Sequence, residues 1–498
     1  MAAVTVAEMR VIEAAAMARG HSEEELLTDA GERLGIALGR HFPQAGTAIG
    51  YLGKGHNAGD ALVALRILRD RFHWKVETRN AYPTCEFADL SRKKWVELGL
   101  PSALDHPPRW RDIQGPLLLL DGLAGTGISG ALRAPLASLA GEMRWLRQDA
   151  AARVAAVDLP SGMDPDSGRI DSTTVIADVT FMIGNAKRGL LNGHAATATG
   201  ALALVPVDSL TVSQIGDCEL ISPQMLGCGK TPRPFDLHKG TAGRVSIFAG
   251  SVNYPGAAVL TAMGALRGGA GLVTLFTPEN IHPVVAAKCP PEIIVRGIED
   301  PLDLLDFPGD AIVLGCGLGV IPSPMAKNLR DLIAKSTLPM VIDADALNSI
   351  AQSGSAGIFR KNHVLTPHPG EFARLAPDLS ALPREQAART FSDRIPSTLL
   401  LKGCRTLVTR QGQPLWCNST GNPGMATAGQ GDLLAGLIGA RLAAGDDPLE
   451  AAALAAWTCG RAAEIARDAR HLSEESLTTS DVLHFLGAAF KDWRGSLR

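Results

Sequence analysis

The sequence predicts two α/β domains in tandem, each a parallel sheet with helices on both faces. Three observations carry this. The chain has 498 residues, more than one ordinary hydrophobic core organises. Short apolar runs of strand length alternate with stretches of helical spacing in both halves, the pattern of strand–helix–strand units. Between Thr211 and Arg244 the alternation lapses into "TVSQIGDCELISPQMLGCGKTPRPFDLHKGTAGR". That stretch is rich in proline and glycine and has no periodicity, as a domain junction would. The division expected is residues 1–218 and 219–498.

Taken in order, "EMRVIEAAAMA" and "SEEELLTDAGERLGIALGRHF" read as helices, the second opened by Ser22 with Glu25 three residues on, a capping-box pattern. "AIGYLG" reads as a strand, "DALVALRILRDR" as a helix and "KVETRN" as a strand; "PLLLLDG", "RVAAVDLPSG" and "DVTFMIG" follow as strands. After the junction come "RVSIFAG", "LVTLFT", "AIVLGCG", "PMVIDADAL", "HVLTPHPGE", "STLLLKG" and "RTLVTR", with the helix "AAVLTAMGALRGGAG" after the first of them. The end is helical, in "DPLEAAALAAWTCGRAAEIARD" and "TTSDVLHFLGAAF".

Composition narrows the function classes. With 48 Lys and Arg against 51 Asp and Glu, and no basic run, the chain has no nucleic-acid or anionic-membrane surface. Its apolar runs are of strand length, short of the roughly 20 residues that span a bilayer. Eight cysteines without paired spacing fit reduced thiols better than a disulfide frame or a zinc site. Charges at Glu8, Arg10 and Glu13 interrupt the first segment, so it does not read as a signal peptide. A cytoplasmic protein acting on small molecules is expected, as a homo-oligomer.

In the first half, "GYLGKGHNAGDALVALRIL" places a glycine loop between a strand and a helix, where close backbone approach and free amides suit an anionic ligand. Asp60, near the helix start, would by itself be a plain cap. Asp121 ends an apolar strand, and Asp158 and Ser161 follow another. Ligands of open parallel sheets lie beyond such strand ends. Two acids and a hydroxyl converging there would coordinate a cation or move a proton. The run Gly125-Thr126-Gly127-Ile128-Ser129-Gly130 has G-x-G-x-x-G form, but it is not in the first strand–helix–strand unit and no strand-ending acid follows about 20 residues on, as the dinucleotide fingerprint requires.

These motifs in this order, over roughly residues 5 to 215, resemble the NAD(P)H-hydrate epimerase family. The resemblance implies a Rossmann-like domain that equilibrates the R and S forms of nicotinamide hydrates. It implies that His56, Asn57, Ala58, Gly59 and Asp60, with Gly125, Thr126, Gly127, Ile128, Ser129, Gly130 and Ala131, contact the hydrate. Asp158 would sit at the reacting ring or ribose. Asn57, Asp121 and Ser161, all oxygen donors, would hold the family's K+ ion. Where the family usually reads N-N-G-G-D, this chain has His56-Asn57-Ala58-Gly59-Asp60.

In the second half, "GCGLG", "DADALN", "TPHPGE" and "LLLKG" all follow strands, and "GNPGMATAGQGDLLAG" opens a helix. Helix-start amides at Gly429–Gly431 would stabilise a phosphoryl group, and Asp432 in the first turn would take a proton from a hydroxyl. Lys402 and Gly403 would meet phosphate. Read alone, the run resembles the ribokinase-like superfamily, and a small-alcohol kinase with an accessory domain is the alternative function. With "PGAA" and "TPHPGEFARL" it resembles the ADP- or ATP-dependent NAD(P)H-hydrate dehydratase, over roughly residues 230 to 490. That implies a hydrate pocket lined by Ala257, Gly317 and His368. It implies nucleotide contacts from Lys402, Gly403, Cys404, Arg405, Thr406 and Gly431, and Asp432 as the acid–base residue. ADP is the donor expected, with Mg2+. Together the two resemblances imply one bifunctional repair enzyme for hydrated NADH and NADPH.

Overall fold

The computed structural model describes residues 2–127, 130–212, 217–229 and 232–495. The chain forms two compact units, Met1–Cys218 and Glu219–Arg498.

In the first unit β1 (Ala3–Val4) is followed by β2 (Thr47–Leu52), β3 (Lys75–Asn80), β4 (Leu117–Gly122), β5 (Arg153–Val157), β6 (Val179–Ile183), β7 (Ala186–Lys187) and β8 (Ala201–Val205). β1 and β7 pair by themselves; the other six form a parallel sheet in the order β3-β2-β4-β5-β6-β8. Side chains alternate between its faces. Ala48, Leu52, Leu118, Leu120, Ala155 and Val157 enter one core, and Ile49, Tyr51, Leu117, Leu119, Val154 and Ala156 the other. Near-continuous apolar strands are what a sheet covered on both faces needs. The helices Glu23–His41 and His56–Phe72 approach closely because Gly31, Gly35 and Gly39 of the first leave room for Val63, Ile67 and Phe72. The capping box at Ser22 and Glu25 is formed.

The junction contains a strand that its lack of periodicity hid, β9 (Cys218–Leu220). β10 (Arg244–Phe248), β11 (Leu272–Pro278), β12 (Ile293–Ile298), β13 (Ala311–Leu314), β14 (Met340–Ile342), β15 (His363–Leu365), β16 (Thr398–Leu401), β17 (Leu407–Thr409) and β18 (Leu415–Cys417) follow. They form one sheet in the order β12-β11-β10-β13-β14-β15-β16-β17-β18-β9. It is mixed rather than parallel, because β16-β17-β18 run antiparallel. The link Lys402–Thr406 is too short for the crossover that parallel strands require. The helices Pro255–Gly268 and Gln430–Ala443 lie backbone to backbone: a methyl group at Gly264 or Gly436 would overlap a carbonyl of the facing helix. Among the described residues no helix is long and apolar enough to cross a membrane.

Candidate active sites

Chain direction across the first sheet reverses between β2 and β4, the switch point at which ligands of open α/β sheets bind. His56 is already helical, at the first position after the N-cap Gly55, so Asp60 lies beyond the first turn and is not the cap. Gly55 offers no side chain to the first-turn amides. Asn57 is buried and donates through Nδ2 to the Ala124 carbonyl at 3.1 Å. Gly125 stands against the Asn57 side chain. Asp121 is fully buried; its carboxylate accepts from the Ser161 hydroxyl at 2.6 Å and the Ser161 amide at 2.7 Å. Burial pushes its carboxyl up to about 6, against the pull of the Ser161 and Leu123 hydrogen bonds. Among the described residues no Lys or Arg pairs with it. A buried carboxylate with hydroxyl and carbonyl oxygens beside it suits a large monovalent cation in charge and donor type.

Asp158 follows β5, the strand beside that of Asp121, and bonds to Lys187 rather than to Ser161. It adopts φ +67°, and its Oδ1 accepts from the Lys187 ammonium at 2.6 Å and the Ile183 amide at 3.1 Å. The Lys187 side chain is 3 % exposed and donates also to the carbonyls of Ile183 and Asn185. Burial pushes the Asp60 carboxyl well above its usual range; the charges of Asp158 and Glu13 add to this and Lys187 opposes it. His56 is exposed and lies 3.4 Å from Glu23. Ala58 is fully buried, and Leu27 and Ser91 fill the space beside Gly59, so these two pack rather than reach outward. Thr126, Gly127, Gly130 and Ala131 lie in the turn region after β4, with open space beside the two glycines. Ile128 and Ser129 lie outside the described residues.

The second sheet reverses between β10 and β13. Gly317, at φ +65° after β13, packs on Ala257 and Tyr254, so the two expected pocket residues are neighbours. Asp343, 1 % exposed, ends β14, caps the next helix and accepts from the Lys402 ammonium at 2.7 Å. Lys402 also lies 3.8 Å from Glu371. It is thus held in ion pairs with both acids. Burial works against its charge, and Asp343 and Glu371 outweigh it, leaving the ammonium above its usual range. His368 is an exposed N-cap: its Nδ1 accepts from the amides of Gly370 and Glu371, and Glu371 accepts from the His368 amide.

The helix Gln430–Ala443 begins after Gly429, at φ +91°, with Asp432 in its first turn. Gly431 faces the Lys402 ammonium and Asp343. Burial and the charge of Asp343 push the Asp432 carboxyl up to about 7, against a hydrogen bond from Cys316 and the charge of Lys402. A carboxyl ionising near neutral pH beside uncapped helix amides can accept a proton while the amides hold an anion. The loop after β16 is braced from behind by Arg384, whose guanidinium donates to the carbonyls of Leu401, Lys402, Cys404 and Arg405. Within it Arg405 is buried at φ +54°, its guanidinium donating to the Ser419 carbonyl, while Cys404 is exposed and Thr406 donates to the Gly403 carbonyl.

Residues 245–484 match the family described as NAD(P)H-hydrate dehydratase, and residues 23–189 the family described as YjeF-related protein N-terminus. A bifunctional NAD(P)H-hydrate repair enzyme from Gloeobacter violaceus is 35 % identical over 486 residues, covering 93 % of this chain and 92 % of its own. The chain belongs to the bifunctional NAD(P)H-hydrate repair enzyme family. Its counterpart in Coxiella burnetii is 33 % identical over 465 residues, covering 88 % of this chain and 89 % of its own. Among solved structures, a ribokinase-like superfamily protein from Enterococcus faecalis superposes with a TM-score of 0.50 at 26 % identity, covering 57 % of this chain and 98 % of its own. In this member of the repair family, Lys187 bonds Asp158, Arg384 holds the loop after β16 and Cys316 lies in the turn after β13, and sequence reasoning missed all three. Lys187 sits in a two-residue strand, and Arg384 opens a helix 17 residues before the first carbonyl it braces. Only Cys316 carried a signal, its place between two strand-end glycines.

Proposed function

We propose that this chain repairs hydrated NADH and NADPH in two steps, epimerising the R and S hydrates in its first unit and dehydrating the S hydrate with ADP in its second. The observation that carries the second step is Asp432, half-buried in the first turn of a helix whose start has no side-chain cap, facing the charges of Asp343 and Lys402. Asp432 removes the proton of the C6 hydroxyl, and that oxygen attacks the terminal phosphoryl of MgADP. AMP leaves with the bridging electron pair while the Gly429–Gly431 amides balance charge on the phosphoryl. The C6–O bond then breaks toward phosphate, the ring nitrogen supplies electrons, and loss of a C5 proton restores the dihydronicotinamide. The loop from Lys402 to Thr406, with Gly431, holds the nucleotide; Ala257, Gly317 and His368 border the hydrate.

In the first unit Asp60 and Asp158 have unlike surroundings: burial raises the Asp60 carboxyl, and Asp158 is paired with Lys187. Asp60 gives its proton to the departing C6 hydroxyl, the ring nitrogen forms the C6 iminium, and water adds to the opposite face, returning a proton. Asn57, Asp121 and Ser161 hold K+, which supplies positive charge to the buried Asp121 carboxylate.

The test is incubation of the purified protein with mixed hydrate epimers and ADP. Return of dihydronicotinamide absorbance with equimolar AMP and phosphate, past the fraction present as S hydrate, is expected. Asp158→Ala should stop at that fraction. A stable phosphorylated alcohol in place of the absorbance would instead make the second unit a kinase.

A further inference from the structure

His368 and the loop after β16 are joined twice. The first join is backbone: the Lys402 amide donates to the Pro367 carbonyl at 2.9 Å, one residue before His368. The second is Glu371, which is 5 % exposed. Its Oε2 accepts from the His368 amide at 2.8 Å and lies 3.8 Å from the Lys402 ammonium. Its Oε1 lies 3.3 Å from His368 Nε2. The other ring nitrogen, Nδ1, accepts from the amides of Gly370 at 3.0 Å and Glu371 at 3.3 Å. A nitrogen that accepts carries no proton, so the neutral ring bears its hydrogen on Nε2, toward the carboxylate. A proton on Nδ1 would abolish the cap.

We propose that Glu371 is a positioning residue that couples the two halves of the second site: it holds His368 as the Nε2–H tautomer and passes the arrival of ADP phosphate at Lys402 on to the ring that borders the hydrate. The inference rests on the placement of hydrate and ADP proposed above. The Lys402 ammonium stands at the start of the helix Gln430–Ala443, 3.2 Å from where a methyl group on Gly431 would lie. Its bond to Asp343 is short, at 2.7 Å, and its contact with Glu371 is the long one. A phosphate that takes a hydrogen of this ammonium therefore weakens the Glu371 contact first. Burial already raises the Glu371 carboxyl; Lys402 is the largest charge acting against this, and Asp343 adds to it. A buried carboxylate that loses its cation needs hydrogen-bond donors. Those within reach are the His368 amide and Nε2–H, so the ring is drawn in and held in one orientation. A ring ordered before the hydrate arrives no longer has to be ordered by it, and each ligand tightens the other by the same factor.

The experiment uses the full chain, labelled with 15N at histidine. The wild-type spectrum should contain a ring protonated on Nε2 and bare on Nδ1 whose signals vanish in His368→Asn, a variant that keeps an N-cap. MgADP alone should move this Nε2–H signal downfield in the wild type and leave it in place in Glu371→Gln. In parallel, initial rates of dehydration of pure S hydrate over a grid of hydrate and ADP concentrations should show each substrate lowering the KM of the other by about fivefold to tenfold. Glu371→Gln should bring that factor close to one. A merely structural role would weaken both substrates and leave the factor intact, which would overturn the proposal. So would a His368 ring protonated on Nδ1. A His368 signal that ADP leaves unmoved in the wild type would do the same, even if Glu371→Gln fails to fold. Absence of ADP-dependent dehydration in the wild type would sink the functional reading alone, since the movement of the ring on ADP binding still decides the link through Glu371.

Discussion

Replacing Asp432 by Asn keeps the shape of the side chain and removes its titration, so it tests the burial of that acid directly. The folded protein raises the Asp432 carboxyl from 3.8 to about 7. Three pH units correspond to about 4 kcal/mol at 1.36 kcal/mol per unit. Because the folded value is the higher one, this cost is absent below about pH 4, where both states are protonated. It grows through the interval from 4 to 7 and is constant above it. Asparagine escapes that cost, in which the attraction of Lys402 is already counted as an offset. The variant should therefore be more stable than wild type by about 4 kcal/mol at pH 8, or about 10 °C in the transition it moves. At pH 4 that advantage should be absent. Calorimetric melts of both proteins at pH 4, 6 and 8 measure this, and the same preparations should show dehydration slowed by about 10²–10⁴-fold. A gap of equal size at all three pH values would refute the burial argument, as would a variant that melts lower at pH 8. Undiminished dehydration would refute the assignment of the base.

Lys187→Met leaves Asp158 without its cation: R–S exchange followed by chromatography should slow about a hundredfold, with loss of about 3 kcal/mol of stability, while dehydration of pure S hydrate is unaffected. Arg384→Ala releases four carbonyls of the loop after β16; initial rates should show KM for ADP rising about tenfold with kcat nearly unchanged. Exchange of potassium for tetramethylammonium should slow epimer exchange by an order of magnitude or more, reversibly, and leave dehydration of the S hydrate intact.

The strands were legible because sheets covered on both faces demand long apolar runs, and "LLLLDG" or "AIVLG" allow little else. Strand ends were legible for the same reason: an acid after such a run, as at Asp121, marks the edge of the core. What the linear pattern concealed was partnership. Asp121 and Asp158 look alike in sequence, yet one is bonded to Ser161 and the other to a lysine 29 residues on. Nothing around Lys402 in the sequence announces that Asp343 and Glu371 stand beside it. The antiparallel turn of the sheet after β16 rests on a loop length, which alternation of apolar and helical segments does not encode. The short β9 has three residues and no periodicity to display.

Asp343 ties folding and chemistry to a single side chain. Its Oδ1 accepts both the first amide of the following helix and the Lys402 ammonium, and its charge adds to burial in raising the Asp432 carboxyl. An alanine there would uncap a helix, release a lysine and make Asp432 a stronger acid in the same stroke, with opposite consequences for rate and stability. Asparagine keeps the acceptor and drops the charge, so the difference between the two variants isolates the cap. The same economy narrows what selection can reach: the loop after β16 cannot exchange its lysine for a neutral residue without depriving the buried Asp343 of its cation. Changes of donor preference in this unit are therefore expected in Cys404 and Thr406, which carry no such shared duty.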